Sequence, residues 1–392
     1  MKSKENTPAI PPHWPRLIDA VERPESVLEW SGSEDGWGSY LTELWGNGIF
    51  PLAYNAWKRE GILGTLPENA RAEAEKRMVQ YRAGSVVAWQ EIDDILELFC
   101  NNGLRPIPLK GVHLAIRYYP EVHLRPISDL DVLFPTLDMA DKAFDMLVEE
   151  GFQIEPEVIE GDDWDKLHHR RGLVSSESGF RVEVHGSLIH APHDRRWKGR
   201  AERLIEQNND YPYNGLKLWG LKPEANAVYL CAHTFMQHAG DPPKASVFYD
   251  LKFLLADSQN EFDWDRMCYL AGQCDVEAHV AKGMHIVKDT GVFDVPEGVF
   301  DQIGGSIVEA GLSRQAFEAR KSILRIAHAS GPMASLRIAW NIVVPTRKFL
   351  RERYPERSSW PVLLLYPYRW YCEAVKICKW IAGFVARKRS KE

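Results

Sequence analysis

Arg125-Pro126-Ile127-Ser128-Asp129-Leu130-Asp131-Val132-Leu133-Phe134 is the stretch on which the reading of this chain turns. Its apolar run predicts a buried strand. Alternate residues of a strand point to one face, so Asp129 and Asp131 project together while Leu130 and Val132 enter the core. Two carboxylates that close repel each other unless a positive charge lies between them, and a hard divalent cation is the common solution. The pair is therefore a candidate metal site. On the same reasoning, exchanging either aspartate for asparagine relieves a repulsion and leaves the fold intact or slightly stabilised.

Upstream, Leu104 to Leu109 is short, apolar and bounded by turn residues, and Lys110-Gly111 opens a helical segment from Val112 to Tyr119. A strand, a Lys-Gly turn and a helix N-terminus together form an anion site, because free N–H groups and the helix dipole point at one spot. Downstream, Phe180-Arg181-Val182-Glu183-Val184-His185 alternates apolar with polar, which sets Arg181, Glu183 and His185 on one strand face. A third carboxylate is thus available. Paired acids, one further acid and a phosphate-binding turn fit two-metal nucleotidyl transfer, in which two cations roughly 3.5–4 Å apart clamp an in-line displacement.

Leu109-Lys110-Gly111, Tyr119-Pro120, Arg125, Asp129-Leu130-Asp131 and Val182-Glu183-Val184-His185 together resemble the signature of a largely uncharacterised bacterial nucleotidyltransferase family within the DNA polymerase β-like superfamily. The resemblance is strongest between Pro106 and Leu188. It extends through Leu230 to Leu254, where His233 and Asp250 fall at positions at which the family tends to carry a His and an Asp. Most of the superfamily opens its phosphate-binding helix with Gly-Ser; this chain has Lys110-Gly111 instead, as the smaller family does.

The resemblance implies an α+β fold, a small mixed sheet flanked by N-terminal helices and a larger C-terminal helical domain. It implies Mg²⁺ as cofactor, two ions with Mn²⁺ as a substitute, held by Asp129, Asp131 and Glu183. Lys110, Gly111, Arg125 and Ser128 are the expected nucleotide contacts, although Ser128 also suits a purely local bond. His185, His233 and Asp250 are candidate substrate contacts; for the last two, a buried polar pair tying two helices together is the alternative. The donor is a nucleoside triphosphate, ATP among them, with no local signature separating ATP from CTP. The acceptor, a small molecule or a protein side chain, is left open. Two other readings stand beside this one: a non-catalytic nucleotide-binding module on the same fold, and a membrane-peripheral factor in envelope polysaccharide synthesis.

Other clusters point elsewhere. His185, His190 and His193, with His168 and His169 nearby, match no common zinc spacing, and Asp162, Asp163 and Asp165 read as a solvated loop. The net charge of −7 offers no basic footprint for bulk nucleic acid. The 6 cysteines lie mostly in apolar helical stretches and read as reduced core residues. Met1 to Arg16 has no apolar h-region. A cytoplasmic protein is expected.

Four regions are expected: N-terminal helices over 1–83, a catalytic core over 84–193, a helical substrate-side domain over 194–360 and an amphipathic C-terminal helix with a basic tail over 361–392. Helical spacing in Ala70 to Tyr81 and in Val86 to Phe99 predicts two segments flanking Gly84. From Asp194 onward the pattern predicts an almost entirely helical chain. Trp370, Trp380 and the basic end suit a peripheral membrane contact through residues 368–389, or docking of that helix on the helical domain.

Overall fold

The computed structural model describes residues 10–29, 34–155, 170–188, 203–238, 243–257 and 262–304, with scattered residues between 333 and 374. The Asp162 loop, His168, His169, His190, His193 and most of the 368–389 segment lie outside the described residues.

The fold is α+β. Five strands form one mixed sheet in the order β1-β2-β5-β4-β3: β1 is Ile107–Pro108, β2 Asp129–Leu133, β3 Gln153–Ile154, β4 Leu173–Val174 and β5 Arg181–His185. The β2 and β5 strands run parallel, and their neighbours on either side are antiparallel. Leu130, Val132, Val182 and Val184 are fully buried. They pack with Ile92, Leu96 and Phe99 of α4 (Glu68–Asn101) and with Ala143 and Leu147 of α6 (Leu137–Glu149). The β-branched residues on one face thereby anchor the sheet, and the polar residues of β2 and β5 are left on the other.

Two expectations are corrected. The predicted segments around Gly84 are one helix of 34 residues. A single exposed glycine costs about 1 kcal/mol relative to alanine, too little to break a helix that strong formers continue on both sides. The chain after Asp194 is not almost entirely helical either, because β6 (Asn208–Tyr213) and β7 (Leu216–Leu221) form a hairpin. Its turn is Asn214-Gly215, both residues at positive φ (46° and 80°), as the favoured two-residue hairpin turns demand. Tyr211 and Leu218 enter the same hydrophobic cluster as β2 and β5, and the Trp219 amide donates to the Pro106 carbonyl at 3.3 Å.

Beyond the hairpin the described elements are helices. Pro223–Ala232 is continued by a π-helical turn, His233–Gln237, and is followed by helices Ser246–Asp257, Trp264–Cys274, Glu277–Asp289 and Glu297–Ile303. These share one core with the N-terminal helices α1 (Trp14–Glu22), α2 (Glu34–Gly46) and α3 (Phe50–Arg59): Trp14, Phe50, Trp57, Phe248 and Tyr249 are buried together. The Tyr249 hydroxyl donates to the Ile18 carbonyl at 3.3 Å, and the Lys252 ammonium pairs with Glu22 at 2.6 Å. Among the described residues no helix is long and apolar enough to cross a membrane.

Candidate active site

The parallel register of β2 on β5 builds the site. Asp129 lies opposite Arg181, Asp131 opposite Glu183 and Leu133 opposite His185. Because β2 and β5 have the same phase, the acids and the histidine share the face that does not meet the α4–α6 layer.

A short connection from β1 brings in the cation. The Leu109 amide donates to the Asp131 carbonyl at 2.9 Å, and the next residue opens helix α5 (Lys110–Arg117). Lys110 has φ +49°, a left-handed conformation that costs a non-glycine residue on the order of 1–3 kcal/mol and occurs where surrounding structure enforces it. Here the enforcing contact is an ion pair: the Lys110 ammonium donates to Asp131 Oδ1 at 2.8 Å. Gly111 sits in close quarters, since a Cβ there would lie 3.1 Å from Ile127 Cδ1 and 3.4 Å from the Arg125 guanidinium.

Asp131 is the hub. Its Oδ1 accepts from Lys110 and also lies 2.8 Å from His185 Nε2. Glu183 Oε2 is 3.6 Å from the same Nε2, and Glu183 Oε1 pairs with Arg181 at 2.7 Å. Arg181 in turn grips Glu155 with two bonds of 3.0 Å. Asp129 is half-exposed at the strand's start and accepts from the Ser128 hydroxyl at 3.0 Å.

These contacts set the charges. Burial alone would raise Asp131, but Lys110 and His185 outweigh it and hold the carboxyl well below its ordinary range. Burial and the neighbouring charge of Asp131 raise Asp129, against the opposing pull of Lys110. Burial would lower His185; its bonds to Asp131 and Glu183 reverse that and leave it raised. Lys110 is likewise raised despite burial, by Asp131, Tyr229 and Glu183. The two aspartates therefore play different parts: Asp131 is a buried anion bound to cations, and Asp129 is the more solvent-facing and the more easily protonated.

Metal-donor atoms of Asp131, Glu183 and His185 all lie within 4.8 Å of one another. Two carboxylates and an imidazole form a donor set that fits a divalent cation, the oxygen ligands suiting Mg²⁺ or Mn²⁺ and the imidazole nitrogen suiting a transition-metal ion. This grouping differs in membership from the expected one: His185 joins it and Asp129 is not in it.

The other expected residues are spread around this centre. Arg125 is held by Asp250, with bonds of 2.8 Å and 3.0 Å, and donates to the Pro126 carbonyl at 2.6 Å, its guanidinium against the Gly111 position. Tyr119 also donates to Asp250, at 2.8 Å. Asp250 thus ties the helical half to the loop before β2 through arginine and tyrosine, not through His233. His233 opens the π turn, its ring 5.9 Å from that of Tyr229 and 4.6 Å from that of His238. Single π turns concentrate at functional sites. Burial, with the charges of Lys110 and His238, keeps His233 neutral, its pKa well below the ordinary value.

Two residues join the site without having been named in advance as its members. Arg181 was on the right strand face, and its pairing with Glu183 is legible from that alternation. Tyr229 sits in a helix buried on all sides, where no periodicity marks a polar face.

Comparison with curated proteins returns no match. The family described as uncharacterised nucleotidyltransferase matches residues 33–290, more than half of the chain, from just before α2 to the end of the Glu277–Asp289 helix. With the two acidic strands, the Lys-Gly turn and the Asp250 helix all inside that span, the chain belongs to this nucleotidyltransferase family.

Proposed function

We propose that the protein is a metal-dependent enzyme that transfers a nucleoside monophosphate group from a nucleoside triphosphate to an acceptor hydroxyl, with release of pyrophosphate, in the manner of the DNA polymerase β-like superfamily. The observation that carries this reading is the register that sets Asp131 opposite Glu183, with Lys110 bonded to Asp131 at 2.8 Å where α5 begins. Asp131 and Glu183 would hold the cation, with Asp129 and His185 as flanking donors. Bound there, Mg²⁺ would supply Lewis-acid polarisation of the phosphate and neutralise charge on the leaving group.

The chain's own residues supply the rest. Lys110 is a point charge for a phosphate oxygen at a turn whose helix N-terminus already favours anions. Arg181, between Glu155 and Glu183, adds positive charge on the same face. The acceptor oxygen forms a bond to the α-phosphorus as the bond to the bridging β-phosphate oxygen breaks. Its proton passes to a carboxylate of the cluster, for which Glu183 is our choice. The helical half would line the acceptor's entry. We set the reaction in the cytoplasm, since the five described cysteines are free thiols.

The test is thermal stability against a panel of nucleoside triphosphates with and without Mg²⁺, because a ligand that binds the native state raises the Tm. A shift with one triphosphate that needs Mg²⁺ and vanishes in Asp131→Asn supports the reading and names the donor. The absence of a shift with every triphosphate would overturn it.

A further inference from the structure

Tyr229 is fully buried, and its hydroxyl has no hydrogen-bond partner among the described residues. An unpartnered buried hydroxyl is costly, and such groups persist where they serve a ligand. This one lies in the field of Lys110, Asp131 and Glu183, and burial together with the two acids keeps its proton in place. The hydroxyl can therefore only be used as a neutral donor. His233 follows four residues later, on the same helical face, and it too feels Lys110, Asp131 and His185. The Tyr229 and His233 rings lie 5.9 Å apart. Tyr229 and His233 are therefore a neutral donor and a neutral imidazole on one helical face of the C-terminal half, both within electrostatic reach of Lys110 and Asp131.

We infer that Tyr229 is a substrate-contacting residue of this site, its hydroxyl donating to a phosphate oxygen of the bound triphosphate. The inference rests on the nucleotidyltransferase reading and assigns to the helical half a direct part in holding the donor nucleotide. Being uncharged, Tyr229 would add direction without adding to the positive charge of Lys110 and Arg181. A hydrogen bond to a charged group corresponds to about tenfold or more in affinity.

The experiment is calorimetric titration of wild type, Tyr229→Phe and Asp131→Asn with Mg²⁺ alone and with Mg²⁺ plus inorganic tripolyphosphate, the portion common to all nucleoside triphosphates. Melting temperatures are recorded alongside. The expected result is that Tyr229→Phe binds Mg²⁺ as wild type does, binds Mg-tripolyphosphate about tenfold or more weakly, and melts at the same or a higher temperature, having lost an unsatisfied group. Equal tripolyphosphate affinity in wild type and Tyr229→Phe overturns the inference and leaves the site reading standing. Equal weakening toward Mg²⁺ alone overturns it as well, because the hydroxyl would then act on the metal's shell and not on phosphate. If wild type binds neither titrant, the site reading itself fails and takes this inference with it.

Discussion

Arg125 and Asp250, which stand 125 positions apart, form a two-bond ion pair at 2.8 Å and 3.0 Å, with side chains only 19% and 8% exposed. The pair joins the helix Ser246–Asp257 to the loop that feeds β2, and it braces the Gly111 turn from behind. Removing one partner of such a pair strands the other charge.

Asp250→Asn is therefore expected to lower unfolding stability by about 3 kcal/mol and to weaken Mg-triphosphate binding, because the Arg125 guanidinium against Gly111 loses its anchor. Arg125→Met with Asp250→Leu should recover most of the stability, since a buried pair replaced by apolar residues is often neutral. Urea denaturation of wild type and the two variants decides; wild-type stability in Asp250→Asn would show the pair to be idle.

The two aspartates of β2 should separate in stability although both are proposed to serve transfer. Asp131→Asn removes the negative charge that Lys110 and His185 pair with and is expected to cost about 3 kcal/mol. Asp129→Asn removes a carboxylate whose raised pKa marks an unfavourable charge, so it should be neutral or stabilising by about 1 kcal/mol. The uniform gain expected from simple repulsion thus holds for only one of them. Equal midpoints for the two variants in denaturant would refute the distinction.

His113 of α5 is buried beside the Tyr211 hydroxyl, 3.3 Å from its Nδ1, and burial with the nearby Arg117 charge pushes its pKa down to about 3. The unfolded chain takes up this proton near pH 6.5 while the folded chain does not, so the stability is complete above pH 6.5 and declines as pH falls toward 3. The limiting slope is about 1.4 kcal/mol per pH unit. Between about pH 5.5 and 4, the stability of wild type should fall relative to His113→Phe at close to that slope. Parallel pH profiles would contradict it.

Gly84 lies within the long helix α4, and a Cβ there would meet nothing within 4 Å. Gly84→Ala should raise stability by about 0.5–1 kcal/mol through helix propensity alone and leave nucleotide binding unchanged. A loss of stability would mean that the helix breaks at this position.

Much of the catalytic half was legible before any coordinates. The alternation in Arg181 to His185, the Asp-x-Asp strand and the Lys-Gly turn each follow from local periodicity, and each element appears at its expected place within a few residues. The hairpin was also legible, through Asn214-Gly215 flanked by aromatic and apolar residues, but the helical signals on either side of it prevailed in the reading. Gly84 illustrates the opposite error, a breaker residue given more weight than its cost justifies.

By itself the sequence determined which residues share a strand face, where the Lys-Gly turn lies and which family the chain resembles, because those properties are carried by short local patterns and need no partner. Tertiary structure alone decided that Asp131, and not Asp129, is the buried hub, that Arg125 belongs to Asp250, and that Tyr229, in a helix buried on every side, comes under the charges of Lys110, Asp131 and Glu183. These depend on strand register and on contacts across some 40 to 125 residues, and a pairing at that range leaves no periodic trace in a single chain. The charge of each group follows from the same contacts, since burial and a neighbour within about 3 Å shift a carboxylate or an imidazole more than anything adjacent to it in sequence.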